Sequence, residues 1–281
     1  MSQVRCPPVS GNHVSTSKPG DDAAFFTPEQ DGRFTATELT RGPWSADAQH
    51  AGPPAALLGR AIERCGSSGE MEMMVARVVF DILRPVPITT FEVSASVRRP
   101  GRNVELVEAS LAADGLEVMR AAAWRIRYAD GEARRTRPTP APPGPATVGP
   151  AGEFPGWPDV GYHMAMEWRF VAGSFTTAGP ATAWLRMRHP LVVGEEPSAL
   201  TRVLIAADSG NGVSGELSFR RFYSINTDLS VHLHRMPVGE WVCLDAVTTI
   251  DHDGVGLAAS TISDERSVIG RGLQSLFVGR R

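Results

Sequence analysis

Four segments in the first half of the chain alternate apolar and polar side chains, the pattern of half-buried antiparallel strands. Short turns at Pro100-Gly101 and Asp114-Gly115 separate the later segments. The segments are VARVVFDIL (75–83), FEVSASVRR (91–99), NVELVEASLAA (103–113) and EVMRAAAWRIR (117–127). The first half is therefore predicted to form four antiparallel strands that are half buried.

The second half repeats this pattern, with turns at Asp253-Gly254 and around Asp264-Glu265. Its segments are SFRRFYSINTDLSVHLHR (218–235), EWVCLDAVTTI (240–250), VGLAASTIS (255–263) and VIGRGLQSLFV (268–278). When Arg84 is set against Arg235, the hairpin turns agree to within two residues, and Ala123 falls opposite Gln274, each 39 positions downstream. The correspondence predicts an internal duplication.

An apolar helix is predicted before each group of strands. The first runs from about Pro53 to Cys65, with prolines in its first turn and Gly66 as a left-handed stop. The second runs from Ser198, the N-cap, to Ser209, and Gly210 closes it. Because each helix is apolar nearly all round, we expect the strands to wrap it in an α+β fold.

Composition divides the chain further. Residues 1–22 have few large apolar side chains and are predicted to be a disordered tail, whereas the dense prolines of residues 134–159 predict a linker. These segments leave two units, 23–133 and 160–281.

Charge and hydropathy exclude several classes of protein. The 281 residues carry 28 Lys and Arg against 31 Asp and Glu, so the chain lacks the positive excess of a nucleic-acid-binding protein. It has no secretory leader and no apolar run near the roughly 18 residues that span a bilayer, so we expect no membrane insertion. Cys6, Cys65 and Cys243 cannot all pair with one another, which favours the reducing cytoplasm.

The block NTDLSVHLHR (226–235), followed by MPVGEWV, GLAAST and IGRGLQSLFV, resembles the C-terminal half of the bacterial acyl-CoA thioesterase II family, the double-hotdog thioesterases. The resemblance is strongest over residues 200–280 and weaker over 25–128, where QHAGPPAALLGRAIE is similar to the start of that family's first central helix. It implies two tandem hotdog repeats, each an antiparallel sheet wrapped around a central helix, and an acyl-CoA substrate.

Enzymes of that family use no covalent nucleophile, metal or organic cofactor. An aspartate, a glutamine and a hydroxyl residue hold and activate a water, and the matching positions here are Asp208, Gln274 and Asn226. Asn226 stands where better-known members carry threonine, and the neighbouring Thr227 should point to the other face of the strand. The resemblance therefore implies a thioesterase, with a catalytically weak or inactive acyl-CoA-binding or acyl-ligand-binding protein as the alternative.

Of these three residues only Asp208 can take a proton, and its place near the negative end of a helix should raise its pKa. Each residue also has a purely structural interpretation. Asp208 would accept hydrogen bonds from the turn that follows it, Gln274 would face solvent on an edge strand, and Asn226 would bond to nearby backbone.

Backbone donors for the thioester oxygen are predicted at the start of the first helix. Pro53 and Pro54 lack an N–H, which leaves Ala51, Gly52 and Ala55. The alternative is that Gly52 only allows the helix to pack closely.

Other signals carry no function. Residues 210–215 match G-x-G-x-x-G but follow a helix, the wrong context for a dinucleotide site, and His232 and His234 lack a third metal ligand. A hotdog hydratase would need an Asp/His pair, and no such pair is visible in the spacing. Uncapped sheet edges leave a homo-oligomer open.

Overall fold

The structure is a computed structural model and describes residues 23–66, 72–129, 131, 136–150 and 159–281. Within these ranges lie four helices and thirteen strands. The helices are α1 (Gly52–Arg64), α2 (Tyr162–Ala165), α3 (Ala199–Ala207) and α4 (Gly210–Val213). The strands are β1 (Phe26–Pro28), β2 (Phe34–Ala36), β3 (Met73–Ile82), β4 (Thr90–Arg99), β5 (Val104–Ala113), β6 (Leu116–Arg127), β7 (Met166–Ser174), β8 (Thr177–Met187), β9 (Phe222–Asn226), β10 (Asp228–Leu233), β11 (Val242–Ile250), β12 (Val255–Ser263) and β13 (Val268–Arg280).

All described strands belong to one antiparallel sheet. Its order is β1-β2-β4-β5-β6-β3-β10-β13-β12-β11-β8-β7, and β9 also pairs with β13. The two halves of the chain meet where β3 pairs with β10. Helices α1 and α3 are buried along nearly their whole length, pack against each other and contribute to one apolar core. The architecture is therefore α+β, with helices covered by an antiparallel sheet, as their all-round apolar character predicts.

The two predicted groups of antiparallel strands are present, and their registers correspond. In each group the first strand pairs with the last, β3 with β6 and β10 with β13. Val107 of β5 pairs with Ala123 of β6, and Ala258 of β12 pairs with Gln274 of β13, so each number in the second pair is larger by 151. The β4–β5 and β11–β12 ladders keep the same offset. Ala123 and Gln274 therefore occupy equivalent positions in the two groups, as the sequence comparison predicts.

The end of α1 differs from the prediction. The helix ends at Arg64, and Gly66 does not adopt a left-handed conformation. Instead, the buried Arg125 guanidinium donates hydrogen bonds to the carbonyls of Ile62 (3.1 Å) and Cys65 (2.7 Å). A cationic donor at this end binds the last carbonyls of the helix, so no glycine stop is needed.

For the second helix, the prediction of Ser198 as the N-cap is confirmed, but the prediction that Gly210 ends the helix is wrong. The Ser198 hydroxyl oxygen accepts a 3.0 Å hydrogen bond from the Thr201 N–H, but α3 ends at Ala207 with Asp208 as its C-cap. Gly210 does not close the helix; it begins the short helix α4. A Cβ at Gly210 would lie 2.6 Å from the Ser260 hydroxyl, so glycine is needed here for close packing.

Four strands and one division of a strand were not predicted from the sequence. Strands β1, β2, β7 and β8 extend the sheet at its two ends. The long segment 218–235 forms two strands, because its register with β13 shifts by one residue between β9 and β10. Extending the two registers places both Thr227 and Asp228 opposite Ser275, which is a β-bulge, and the Thr227 N–H donates to the Ser275 carbonyl at 3.0 Å.

The predicted tail, residues 1–22, lies outside the described residues. The described part of the predicted linker, 136–150, lies against the second half of the sheet. The Trp184 indole donates to the Pro143 carbonyl at 2.7 Å, and the Val268 N–H donates to the Thr139 carbonyl at 3.0 Å. Within the described ranges, no helix has both the length and the apolar character needed to cross a membrane.

Candidate active site

The three side chains matched by the resemblance meet at one buried carboxylate. The Asn226 amide donates to Asp208 Oδ1 at 2.7 Å, and the Gln274 amide donates to the same oxygen at 3.1 Å. Gln274 Nε2 also lies 3.0 Å from the Asp208 carbonyl. Residues from the end of α3, from β9 and from β13 therefore form one hydrogen-bonded cluster.

Asp208 reaches this cluster because α3 ends one residue before it, inside the sheet. Its side chain is only 3% exposed. In the part of the chain that the structure describes, the turn at 209–212 donates no hydrogen bond to the carboxylate, which accepts from distant residues instead. The interpretation of Asp208 as a simple turn acceptor is therefore wrong.

Gln274 lies on an inward-facing position of β13, a strand paired on both sides, and is only 2% exposed. The Asn211 N–H donates to its Oε1 at 3.0 Å, which turns the NH2 group toward Asp208. The alternative of a solvent-facing amide on an edge strand is therefore wrong. Ala123, the equivalent residue of the first half, cannot hydrogen-bond through its side chain, so the duplication supplies one such cluster.

The bulge between β9 and β10 decides which residue enters the cluster. Asn226 points to Asp208, whereas Thr227 is exposed. Asn226 also donates to the Asp228 carbonyl at 3.2 Å, as an Asn at a strand interruption often does. As expected from the alternation of side chains, Thr227 does not replace the threonine of the family.

The start of α1 faces the same carboxylate. The backbone N–H groups of Ala51 and Gly52 lower the pKa of Asp208, and the Gly52 N–H donates to His50 Nδ1 at 3.1 Å. The Ala55 N–H is already used, because it donates to the Ala51 carbonyl at 3.0 Å, so the prediction of Ala55 as a free donor is wrong. A Cβ at Gly52 would lie 2.4 Å from the Ile205 carbonyl oxygen, so glycine lets α1 begin directly against α3.

Sequence reasoning missed His50. Its Nδ1 lies 3.1 Å from Asp208 Oδ2 and 3.1 Å from the Gly52 nitrogen. Its ring stacks on Tyr162, with ring centroids 3.8 Å apart and planes inclined by 10°. The expectation that the chain offers no Asp/His pair is therefore wrong, and spacing could not reveal the pair because the fold joins opposite halves of the chain.

Tyr162 packs against the His50 ring and hydrogen-bonds to the end of α3. Its hydroxyl donates to the Ile205 carbonyl at 2.7 Å and contacts the Ser209 hydroxyl at 2.8 Å. The pKa of this buried phenol is raised because burial disfavours its charged form. Tyr162 therefore fixes the imidazole plane of His50 relative to the end of α3.

Burial dominates the electrostatics of the site. It raises the pKa of Asp208 to about 7, and hydrogen bonds from Asn226, Gln274, Gly52 and Ala51 offset only part of this effect. The direction agrees with the prediction, but the main cause is desolvation. Burial also lowers the pKa of His50 to about 3, with a smaller effect of His163. At neutral pH the imidazole is thus neutral, while Asp208 titrates.

The two strand histidines stay apart from this cluster. His232 and His234 are both exposed on or just after β10. Among the described residues, no group of three or more His, Cys, Asp or Glu side chains is arranged to hold a metal ion.

Comparison with known proteins places these features in context. The family model of the acyl-CoA thioesterase C-terminal domain matches residues 138–278, and that of the N-terminal domain matches residues 40–126. Curated protein sequences yield no match.

Several solved structures share the fold at low sequence identity. A hotdog-fold protein of unknown function from Alicyclobacillus acidocaldarius is 15% identical with a TM-score of 0.70, over 94% of this chain and 99% of that chain. A structure from Thermobifida fusca, named as a thioesterase II, is 17% identical with a TM-score of 0.69, over 91% and 95%. An acyl-CoA thioesterase II from Mycobacterium marinum is 14% identical with a TM-score of 0.63, over 89% and 93%.

These structures support an α+β hotdog fold, and the two family models together cover most of both halves of the chain. The chain belongs to the acyl-CoA thioesterases of the double-hotdog, thioesterase II-like family.

Proposed function

We propose that the protein hydrolyses an acyl-CoA thioester to a free acid and CoA through an activated water, without a covalent intermediate. The observation that carries this proposal is the convergence of the Asn226 and Gln274 amides on the buried carboxylate of Asp208. An amide cage around a carboxylate of raised pKa is suited to hold a water and to promote its deprotonation near neutral pH. The proposed chemistry uses no metal or organic cofactor.

The start of α1 supplies the complementary electrostatics. The N–H groups of Ala51 and Gly52 stand at the start of α1, where they lower the pKa of Asp208. When a thioester carbonyl enters the site, we expect these donors to turn to its oxygen, where negative charge develops as water attacks. The same donors would then stabilise the tetrahedral oxyanion until the C–S bond breaks and the thiolate leaves with a proton.

Asn226 fits this function although the family's better-known members have threonine. Its NH2 group supports the carboxylate directly, and its amide oxygen remains a hydrogen-bond acceptor for the protons of a water. A threonine hydroxyl can also donate and accept hydrogen bonds. Asparagine and threonine therefore offer similar hydrogen-bonding groups on side chains of different length.

The proposal includes the organisation of the chain as two tandem hotdog repeats, 23–133 and 160–281. It is supported by the constant offset of 151 residues between the two sets of strand registers. The site would then lie between the repeats, because α1 supplies the helix N–H donors and the second repeat supplies Asp208, Gln274 and Asn226.

A second candidate activity is favoured by one observation. The 3.1 Å contact between His50 and Asp208 supplies the Asp/His pair that the addition of water to a 2-enoyl thioester requires. That reaction would leave the thioester bond intact, whereas hydrolysis releases the thiol of CoA. The two activities are therefore separable in one reaction mixture.

The test is thiol release from saturated and 2-enoyl acyl-CoAs of short to long chain, combined with loss of enoyl absorbance and direct binding measurements. Thiol release supports hydrolysis, and loss of absorbance without thiol release supports hydration. Saturable binding of an acyl-CoA with neither change would identify a binding protein instead.

A further inference from the structure

The residue of the site that solvent reaches is His50 rather than Asp208. The His50 side chain is 16% exposed, against 3% for Asp208. Its Nδ1 faces Asp208 and Gly52, while no hydrogen bond joins its Nε2 to the part of the chain that the structure describes. A neutral imidazole whose Nδ1 carries the proton has a free acceptor at Nε2.

Asp208, in contrast, offers little access to a water. Its Oδ1 accepts hydrogen bonds from the amides of Asn226 and Gln274, its Oδ2 lies 3.1 Å from His50 Nδ1, and its side chain is only 3% exposed. A water that used Asp208 as its base would therefore have to enter this buried cluster and compete with the groups already in contact with the carboxylate.

We propose that His50 Nε2 accepts the proton of the attacking water and that Asp208 orients and stabilises the imidazole through Nδ1. This inference rests on the proposed hydrolysis and changes the role of Asp208 from base to orienting carboxylate. The arrangement follows the logic of an Asp–His pair, in which the carboxylate fixes the tautomer and stabilises the imidazolium without taking its proton.

The proton balance of the step is complete. One O–H bond of water breaks, its proton moves to Nε2, and the oxygen forms a bond to the thioester carbon. The oxyanion then collapses, the C–S bond breaks, and the imidazolium returns the proton to the departing sulfur. The products are a carboxylic acid and CoA thiol, and His50 is neutral again.

The Gly52 N–H links the two protonation states of the pair. When Asp208 is ionised, we expect Nδ1 to carry the proton and to donate to Oδ2, 3.1 Å away. When Asp208 is protonated, Nδ1 can accept from the Gly52 nitrogen at 3.1 Å, and Nε2 then carries the proton and cannot act as a base. Activity should therefore rise as Asp208 ionises.

The groups around the imidazole favour the neutral resting form. Tyr162 covers one ring face and stays uncharged because burial raises its pKa, while His163 disfavours a second positive charge. Asp208 is the negative charge in direct contact with His50. The imidazolium thus forms only during the reaction, next to the carboxylate that stabilises it.

The kinetic test uses His50→Asn, whose amide can still donate to Asp208 but cannot take a proton, with His234→Asn as the matched surface control. We expect His50→Asn to lower kcat/KM by about 100-fold or more, the usual effect of losing a general base, and His234→Asn to leave it unchanged. In His50→Ala, added imidazole should restore activity in a concentration-dependent way, which a purely structural role would not produce.

Two results would overturn the inference while leaving hydrolysis intact. One is a His50→Asn enzyme that keeps more than about one-tenth of wild-type kcat/KM. The other is a His50→Ala enzyme that imidazole does not accelerate.

Nitrogen NMR of the wild-type imidazole gives an answer that does not depend on turnover. Above the pKa of Asp208, we expect Nδ1 protonated and Nε2 unprotonated. A proton on Nε2 under these conditions would contradict the proposal, even if no acyl-CoA proved to be a substrate.

Discussion

Replacing Asp208 by asparagine should remove a pH-dependent cost to stability. Asparagine resembles a protonated carboxyl group in shape but cannot ionise. In the folded protein, burial raises the pKa of Asp208 from its ordinary value of 3.8 to about 7. Between these values the unfolded chain loses the proton while the folded protein keeps it, so the free energy of unfolding of the wild type falls as pH rises.

The size of the effect follows from the shift. Each pKa unit corresponds to about 1.4 kcal/mol, so the full shift costs the wild type about 4 kcal/mol above pH 7. Between about pH 5 and about pH 8 the change is about 3 kcal/mol. His50 acts in the opposite direction, because its lowered pKa removes stability as pH falls below about 6.5, but it is present in both proteins.

Urea denaturation of the wild type and Asp208→Asn, followed by tryptophan fluorescence at several pH values, measures this difference. The free energy of unfolding of the variant should gain about 3 kcal/mol relative to the wild type from about pH 5 to about pH 8. A difference between the two proteins that stays constant to within about 1 kcal/mol would refute the assignment of a strongly raised pKa to Asp208.

Three further substitutions test the geometry of the site. Asn226→Ala should slow hydrolysis by at least about tenfold because Asp208 loses its shortest side-chain hydrogen bond, whereas Thr227→Ala, on the exposed bulge, should leave kcat unchanged. Gly210→Ala should lower the free energy of unfolding by about 1–3 kcal/mol, because its Cβ meets the Gln274 amide oxygen at 3.0 Å. Gly212→Ala, which meets nothing within 4 Å, is the control, and thermal melts of both compare them. Gln274→Glu should abolish measurable thiol release near neutral pH by placing a second carboxyl group against Asp208, and activity equal to the wild type would contradict the cluster.

The strands of the two antiparallel groups could be predicted because each alternates apolar and polar residues with a period of two, and three of the four named turns contain glycine. Asp114 and Gly115, for example, both adopt positive φ in the turn between β5 and β6. The strands before α3 could not be predicted in the same way, because β8 interrupts its apolar pattern with Gly179 and Pro180. Tertiary pairing with β11 stabilises that segment, and pairing partners are not visible in a local pattern.

In the candidate site, too, some residues could be predicted from the sequence and others depend on tertiary contacts. Asp208, Gln274 and Asn226 were found through their resemblance to a family, and the fold brings them to hydrogen-bonding distance. His50 was missed although it lies in the segment QHAGPPAALLGRAIE, and Tyr162 belongs to no motif, because the roles of both arise from contacts between distant parts of the chain. The way in which α1 ends was missed for a similar reason, because the Arg125 side chain of β6 donates a hydrogen bond to the Cys65 carbonyl at the end of this helix.

The most direct test of the account is thiol release from the best acyl-CoA substrate by the wild type and by Asp208→Asn, with acyl-CoA binding measured in parallel. The account predicts release by the wild type and a loss of about 100-fold or more in kcat for the variant, which should still bind the acyl-CoA. Equal rates for the two proteins would contradict the central claim that the cluster around Asp208 activates the water.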